Sequence, residues 1–168
     1  EDLDRIRAFY YQSGYVDIKV LGVKETFIKD NSRVIIDVEI SEGHQYKVGT
    51  IEIEGNKKYS SEELQKRNSL KTGDIFLPEN LQHDHKAIQD VYYKNGYIDA
   101  RIAPNTVVSS TDSQVMNIKY TIEENEEVFI DKILVTGNDK TKDIVVRREL
   151  NLKPGEKFNG VEMEIAKK

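Results

Sequence analysis

Residues 92–102 read YYKNGYIDARI, and residues 10–20 read YYQSGYVDIKV. Two tyrosines, a polar pair, Gly-Tyr, an aliphatic residue and an aspartate recur in the same order. The chain has no cysteine, no tryptophan and nine tyrosines, so composition alone does not produce such a match. Sliding the chain along itself by 82 residues extends it without a gap. Gly14 falls on Gly96, Tyr15 on Tyr97, Asp17 on Asp99, Ile36 on Ile118, Ile40 on Ile122 and Glu42 on Glu124. IEIEGN (51–56) then lies over ILVTGN (133–138), and LKTGDIF (70–76) over LKPGEKF (152–158). About a quarter of the aligned positions are identical, and a fixed period of this kind marks a chain built from one repeated unit.

The unit can be read locally. In residues 46–56, Val48, Ile51 and Ile53 sit among polar neighbours ahead of Gly55-Asn56, which is a strand ending in a turn. Ser60 with Glu63 fits a capping box, so a short helix is expected to run to about Leu70. Gly73 supplies the backbone freedom of a helix exit, and Pro78 suits the first turn of a second helix. That helix carries Leu81, Ile88, Val91 and Tyr92 at helical spacing and ends at Asn95-Gly96, where left-handed geometry is expected. A strand is expected from Tyr97 to Val108 and another over 115–124, the latter with Met116, Ile118, Tyr120 and Ile122 on one face. The order is strand, helix, helix, strand, strand. The fold class is therefore α+β, with a three-stranded mixed sheet packed against two helices in each unit. In this frame residues 1–44 hold a second helix and two strands, 45–127 a complete unit, and 128–168 a first strand and first helix.

Composition limits the function classes. Charged residues make up 33% of the chain, and the net charge is −5. No basic run exceeds two residues, whereas a nucleic-acid surface needs a basic stripe. No apolar run approaches the roughly 18 residues of a membrane-spanning helix. The absence of cysteine removes disulfides, thiolate metal sites and cysteine nucleophiles together.

Candidate chemistry is sparse. His83, Asp84 and His85 suggest a metal or general-base site, but on a helix residues 83 and 85 point about 200° apart, so solvated helix residues are expected instead. Glu123, Glu124, Glu126 and Glu127 lack the ligand spacing and turn glycine of a calcium loop, and an exposed turn is expected there. Arg147 and Arg148 form a possible docking patch or a solvated helix face. No phosphate loop or nucleophile elbow is present. The expectation is a protein that is not an enzyme and carries no cofactor and no metal.

The ordered recurrence of GN after the first strand, LKTGDIF after the first helix and YYKNGY before the second strand resembles POTRA domains. These precede the β-barrel in the outer-membrane protein assembly factors of the BamA family. Residues 40–56 resemble the segment joining consecutive domains, and 137–150 the start of a later one. The resemblance covers essentially the whole chain. It implies a periplasmic portion of a bacterial outer-membrane protein that meets the membrane only through a C-terminal barrel. Its implied partners are unfolded outer-membrane protein precursors and accessory lipoproteins. POTRA domains of a two-partner secretion transporter or of a cell-division protein are the alternatives within scaffolding, and a carboxylate-dependent metal enzyme is the alternative from another class.

One physical feature bears on the binding site. The expected second strand carries Pro104 where the other copy carries Gly22. Proline cannot donate to a ladder, and glycine often marks a bulge, so both belong on an outermost strand. An edge strand can accept an extended segment by β-augmentation, or it can simply be blunted against aggregation. The candidate binding residues are Tyr97, Ile98, Asp99, Ala100, Arg101 and Ile102.

Overall fold

A computed structural model describes residues 1–29, 32–149 and 152–166. Leu150, in the stretch read above as the start of a further domain, lies outside the described residues. Contacts divide the chain into two compact units. The first comprises Glu1–Glu52, Ser69–Asp84 and Pro104–Lys119, and the second Ile53–Asn68, His85–Ala103 and Tyr120–Lys168.

The first unit opens with α1 (Asp2–Gln12), followed by β1 (Lys19–Ile28) and β2 (Arg33–Ser41). The two strands form an antiparallel pair, running from Lys19 opposite Ser41 to Ile28 opposite Arg33. The register shifts between Val20 and Gly22, a bulge at the position where the second copy carries proline. Further along, β3 (Lys47–Glu54), α2 (Ser61–Gln65), α3 (Pro78–Lys94), β4 (Arg101–Val108) and β5 (Val115–Glu123) complete one repeat. Its mixed sheet has the order β3-β5-β4, so β4 lies at an edge as expected. In the first unit Val48, Leu70, Phe76, Met116 and Ile118 are buried, and in the second Leu64, Ile88, Tyr92, Tyr120 and Ile122. Each such apolar side chain contributes about 1.5–3 kcal/mol when fully buried. The last elements are α4 (Asp143–Glu149) and α5 (Gly160–Ala166).

Three boundaries differ from the sequence reading. Ser60 caps α2 by accepting from the Glu63 N–H, but the helix stops at Gln65 instead of about Leu70. Arg67 and Asn68 tighten into bonds to the carbonyls of Leu64 and Gln65. Ser69 and Leu70 then give their N–H groups to the carboxylate of Asp84, so no helical carbonyl receives them. The second difference is that β4 begins at Arg101, not Tyr97. The third lies in residues 131–136, which join no ladder, although their counterpart β3 pairs in a sheet. Residues 128–168 also contain α5, the counterpart of the start of α3, where only a first strand and first helix were expected.

The repeated Gly-Tyr stretch is a helix exit in both copies. Gly14 and Gly96 both have φ +90°. Tyr15 donates to the Tyr10 carbonyl at 3.0 Å, and Tyr97 to the Tyr92 carbonyl at 3.0 Å. These are the bonds that close a helix through a left-handed residue. A Cβ on Gly96 would also stand 3.1 Å from the Val128 carbonyl oxygen. Gly96→Ala is therefore expected to destabilise the protein by about 1 kcal/mol or more, read as a fall in the urea midpoint. An unchanged midpoint contradicts this account of the repeat.

Candidate functional site

The exit turn sets the start of the edge strand. Ala100 donates to the Tyr97 carbonyl at 3.2 Å, and Asn125 Nδ2 donates to the Asp99 carbonyl at 2.7 Å. Tyr97 and Ala100 are buried as a plug beneath the turn. The backbone of this segment is thus engaged inside its own unit, and it is not strand. Of the six candidate residues, only Arg101 and Ile102 belong to β4. Arg101 is exposed and Ile102 faces the core. The remaining open edge extends toward Val108, with Val107 and Val108 both exposed.

Along the second unit's part of this edge runs a shallow groove of about 390 Å³, lined by residues 98–102 and by His85, Gln89 and Tyr93 of α3. The three helix residues are spaced four apart and form one stripe. None belongs to the six candidate binding residues, although His85 is one of the metal or general-base candidates. Gln89 Nε2 bonds the Tyr93 hydroxyl at 3.2 Å, and Lys86 Nζ lies 6.0 Å from the centre of the Tyr93 ring. At one end of the groove Gly160 is buried, and a Cβ there would lie 3.2 Å from Ile98 Cγ2.

The acidic and histidine candidates have other duties. Asp84 is fully buried, contrary to the expectation of a solvated residue, because two backbone N–H groups need its carboxylate. His83 Nδ1 stands 3.0 Å from the Ser69 hydroxyl, and His85 faces the groove. Glu124 is no member of an open acidic turn. Its Oε1 accepts from the N–H groups of Lys57 and Lys58 at 2.7 and 2.8 Å and from the Tyr92 hydroxyl at 3.0 Å. This carboxylate ties the exit of β3 to the end of β5 and to the last turn of α3. The first copy repeats the tyrosine contact, Tyr10 donating to Glu42 at 2.8 Å. Glu127 pairs with Lys157 at 2.6 Å. Arg147 and Arg148 lie on α4, 3.8 Å from Asp143 and 3.6 Å from Glu149 respectively. Among the described residues no group of three or more histidine, aspartate or glutamate side chains is placed to hold a metal, and no helix is long and apolar enough to cross a membrane.

A family model, POTRA, described as a surface antigen variable number repeat, matches residues 46–125 and 128–168. The chain belongs to the POTRA family. A relative from Treponema pallidum is 34% identical over 162 residues, which is 94% of this chain and 19% of its own length. The outer membrane protein assembly factor BamA of Nitratidesulfovibrio vulgaris is 32% identical over 166 residues, 96% of this chain and 21% of that protein. The POTRA chain thus spans about a fifth of the length of these relatives. Among solved structures, Haemophilus influenzae BamA POTRA3-5 superposes with a TM-score of 0.68 at 22% identity, covering 99% of this chain and 65% of that one. That likeness shows the POTRA fold.

The tyrosines carry a pH dependence. Burial and then the Glu124 contact raise the Tyr92 phenol well above its ordinary value. Glu42 raises Tyr10, Asp17 raises Tyr46, and burial raises Tyr59. A phenol with a raised folded pKa adds stability below the unfolded value of about 10, and this is lost as pH climbs toward the folded value. Stability is therefore expected to fall above about pH 10. Tyr92→Phe should lose about 1 kcal/mol at neutral pH through the missing bond to Glu124. It should also flatten the alkaline decline, read from urea midpoints at neutral and alkaline pH.

Proposed function

We propose that this chain is a non-enzymatic, periplasmic scaffold module of a β-barrel assembly factor. Along β4 it receives extended segments of unfolded outer-membrane protein precursors by β-augmentation, and it docks accessory lipoproteins, with Arg147 and Arg148 as the candidate patch. The assembly-factor names of its relatives support the setting. The observation that carries the mechanism is the outermost position of β4 with Pro104 in its middle.

The direction of the free donors follows from one bond. Ser109 donates to the Val115 carbonyl at 2.7 Å, across the hairpin between β4 and β5. In an antiparallel ladder, residues facing the partner alternate with residues facing away. Carried along β4, that alternation predicts inward N–H groups at Arg101, Ala103, Asn105 and Val107 and outward ones at Ile102, Thr106 and Val108. Pro104 falls in the outward set, so it costs the native ladder nothing and removes one donor from the open edge. Main-chain pairing of this kind binds many sequences with little discrimination, which suits diverse clients. Affinity is expected to be weak, because an extended peptide loses conformational entropy on ordering.

The test is a titration with labelled peptides taken from barrel strands, followed through backbone amide shifts. Shifts are expected in residues 101–108. Ile102→Pro should abolish binding, but it also disturbs a buried side chain. Thr106→Pro removes an outward donor at a half-buried position and is expected to do the same with the fold intact. Arg101→Ala should only weaken binding. Shifts confined to the helices, with β4 silent, contradict the edge mechanism and leave the family assignment standing.

A further inference from the structure

The recurring segment LKTGDIF (70–76) does more than leave a helix. Leu70 and Phe76 are buried and pin its two ends in the core. Between them, residues 72–76 run along β3, the other edge of the sheet. Phe76 donates to the Tyr46 carbonyl at 2.7 Å and Gly73 to the Val48 carbonyl at 2.8 Å, while Val48 gives its own N–H to the Asp74 carbonyl at 2.8 Å. Lys47 and Ile75 stand opposite each other as an antiparallel bridge. The Lys47 N–H points the other way, to the Gln114 carbonyl just ahead of β5, at 2.8 Å. Successive residues of a strand alternate in this manner, so residues 73–76 occupy the outward backbone groups that an edge strand leaves open. Thr72 adds its hydroxyl to the Gly49 carbonyl at 2.8 Å.

Local turn chemistry holds this strap in shape. Gly73 sits at φ +93°, and the Asp74 carboxylate accepts from the Lys71 N–H at 2.9 Å. The same contacts recur 82 residues on. Phe158 donates to Val128 at 2.9 Å, Gly155 to Ile130 at 2.7 Å and Ile130 to Glu156 at 2.9 Å, and Phe129 stands opposite Lys157. Between the two copies the leucine, lysine, glycine and phenylalanine are kept, whereas Thr72, Asp74 and Ile75 become Pro154, Glu156 and Lys157. That freedom of side chain fits a segment acting through its main chain. The two edges of the sheet are thus treated differently: β3 is covered by backbone, and β4 carries only Pro104 against strand addition.

We propose that the outward edge of β3 is a second strand-accepting site, held shut by residues 72–76, and that this strap confines a client strand to β4. The inference rests on the β-augmentation reading of β4. Main-chain pairing discriminates little between sequences, so a peptide able to pair with β4 would pair equally with a bare β3. Choice of one edge then has to come from closing the other. The strap does so with bonds already made, and a peptide that displaced it from Val48 would gain no net bond there. One covered edge limits the complete repeat to a single client strand.

The experiment follows backbone amides of the 168-residue chain by hydrogen exchange and by shifts on adding barrel-strand peptide. In the parent chain Val48 is expected to exchange slowly, and residues 46–49 are expected to stay silent when peptide is added. Gly73→Pro removes the donor to the Val48 carbonyl and cannot hold φ +93°, so it lifts the strap between its two buried anchors. Val48 should then lose protection by about tenfold or more, and peptide should shift residues 46–49 and restore the protection. Thr72→Val combined with Asp74→Ala spares the backbone donors, removes two side-chain bonds and should give the same changes in smaller measure. Unaltered amide shifts of Met116 and Ile118 in β5 verify that each variant is folded. Peptide shifts at residues 46–49 of the parent overturn the inference. So do variants in which Val48 stays protected, or in which the exposed edge ignores the peptide. Silence of residues 101–108 contradicts the β4 reading instead, and it is read at different amides.

Discussion

Glycine 96, held at φ +90°, is the constraint on which the rest of the second unit depends. An L-side chain rarely adopts that conformation, and here the position of a Cβ is also closed by the Val128 carbonyl. The turn ends α3 and places Tyr97 and Ala100 in the core, so that β4 starts at Arg101. The Gly96 carbonyl then accepts from Val128 N–H at 2.9 Å, which binds the start of the next repeat to the exit of the preceding helix. One backbone conformation thus fixes a helix end, a strand start and a joint. Its counterpart Gly14 has the same φ of +90° and the same closing bond, from Tyr15 to the Tyr10 carbonyl, but a Cβ there would meet the Ile75 side chain and the Phe76 carbonyl instead.

Two carboxylates complete the scaffold. Asp84 receives the backbone after α2, and Glu124 receives the backbone after β3 together with the Tyr92 hydroxyl. Bonds to an ionised acceptor contribute more than neutral ones, about 1.5–3 kcal/mol each. Both carboxylates take up chain segments that leave regular structure, where backbone donors have no helical or ladder partner. The edge of β4 and the neighbouring stripe of His85, Gln89 and Tyr93 take no part in either carboxylate's contacts.

The repeat, the element order, the capped short helix and the edge position of β4 were legible in the sequence, because period and turn chemistry act locally. The positive φ of Gly96 was legible for the same reason. The end of α2 was not, since it is set by Asp84, which lies some fifteen positions further on. The start of β4 was misplaced because Tyr97 and Ile98 have strand propensity, while the helix-closing bond to Tyr92 makes them a turn. Glu124 read as one acid in a solvated cluster, and only the tertiary fold brings Lys57, Lys58 and Tyr92 to it. The groove was half legible. Its strand residues followed from Pro104, whereas His85, Gln89 and Tyr93 needed the placement of α3 beside them.

The central claim is that β4 presents a row of unpaired backbone donors, and amide hydrogen exchange of its residues tests this most directly. Arg101, Ala103, Asn105 and Val107 are expected to exchange slowly, as members of the β4–β5 ladder. Ile102, Thr106 and Val108 should exchange faster in the free protein, and saturating barrel-strand peptide should slow them. Uniform protection of the whole strand without peptide, or protection in the opposite alternation, would contradict the claim.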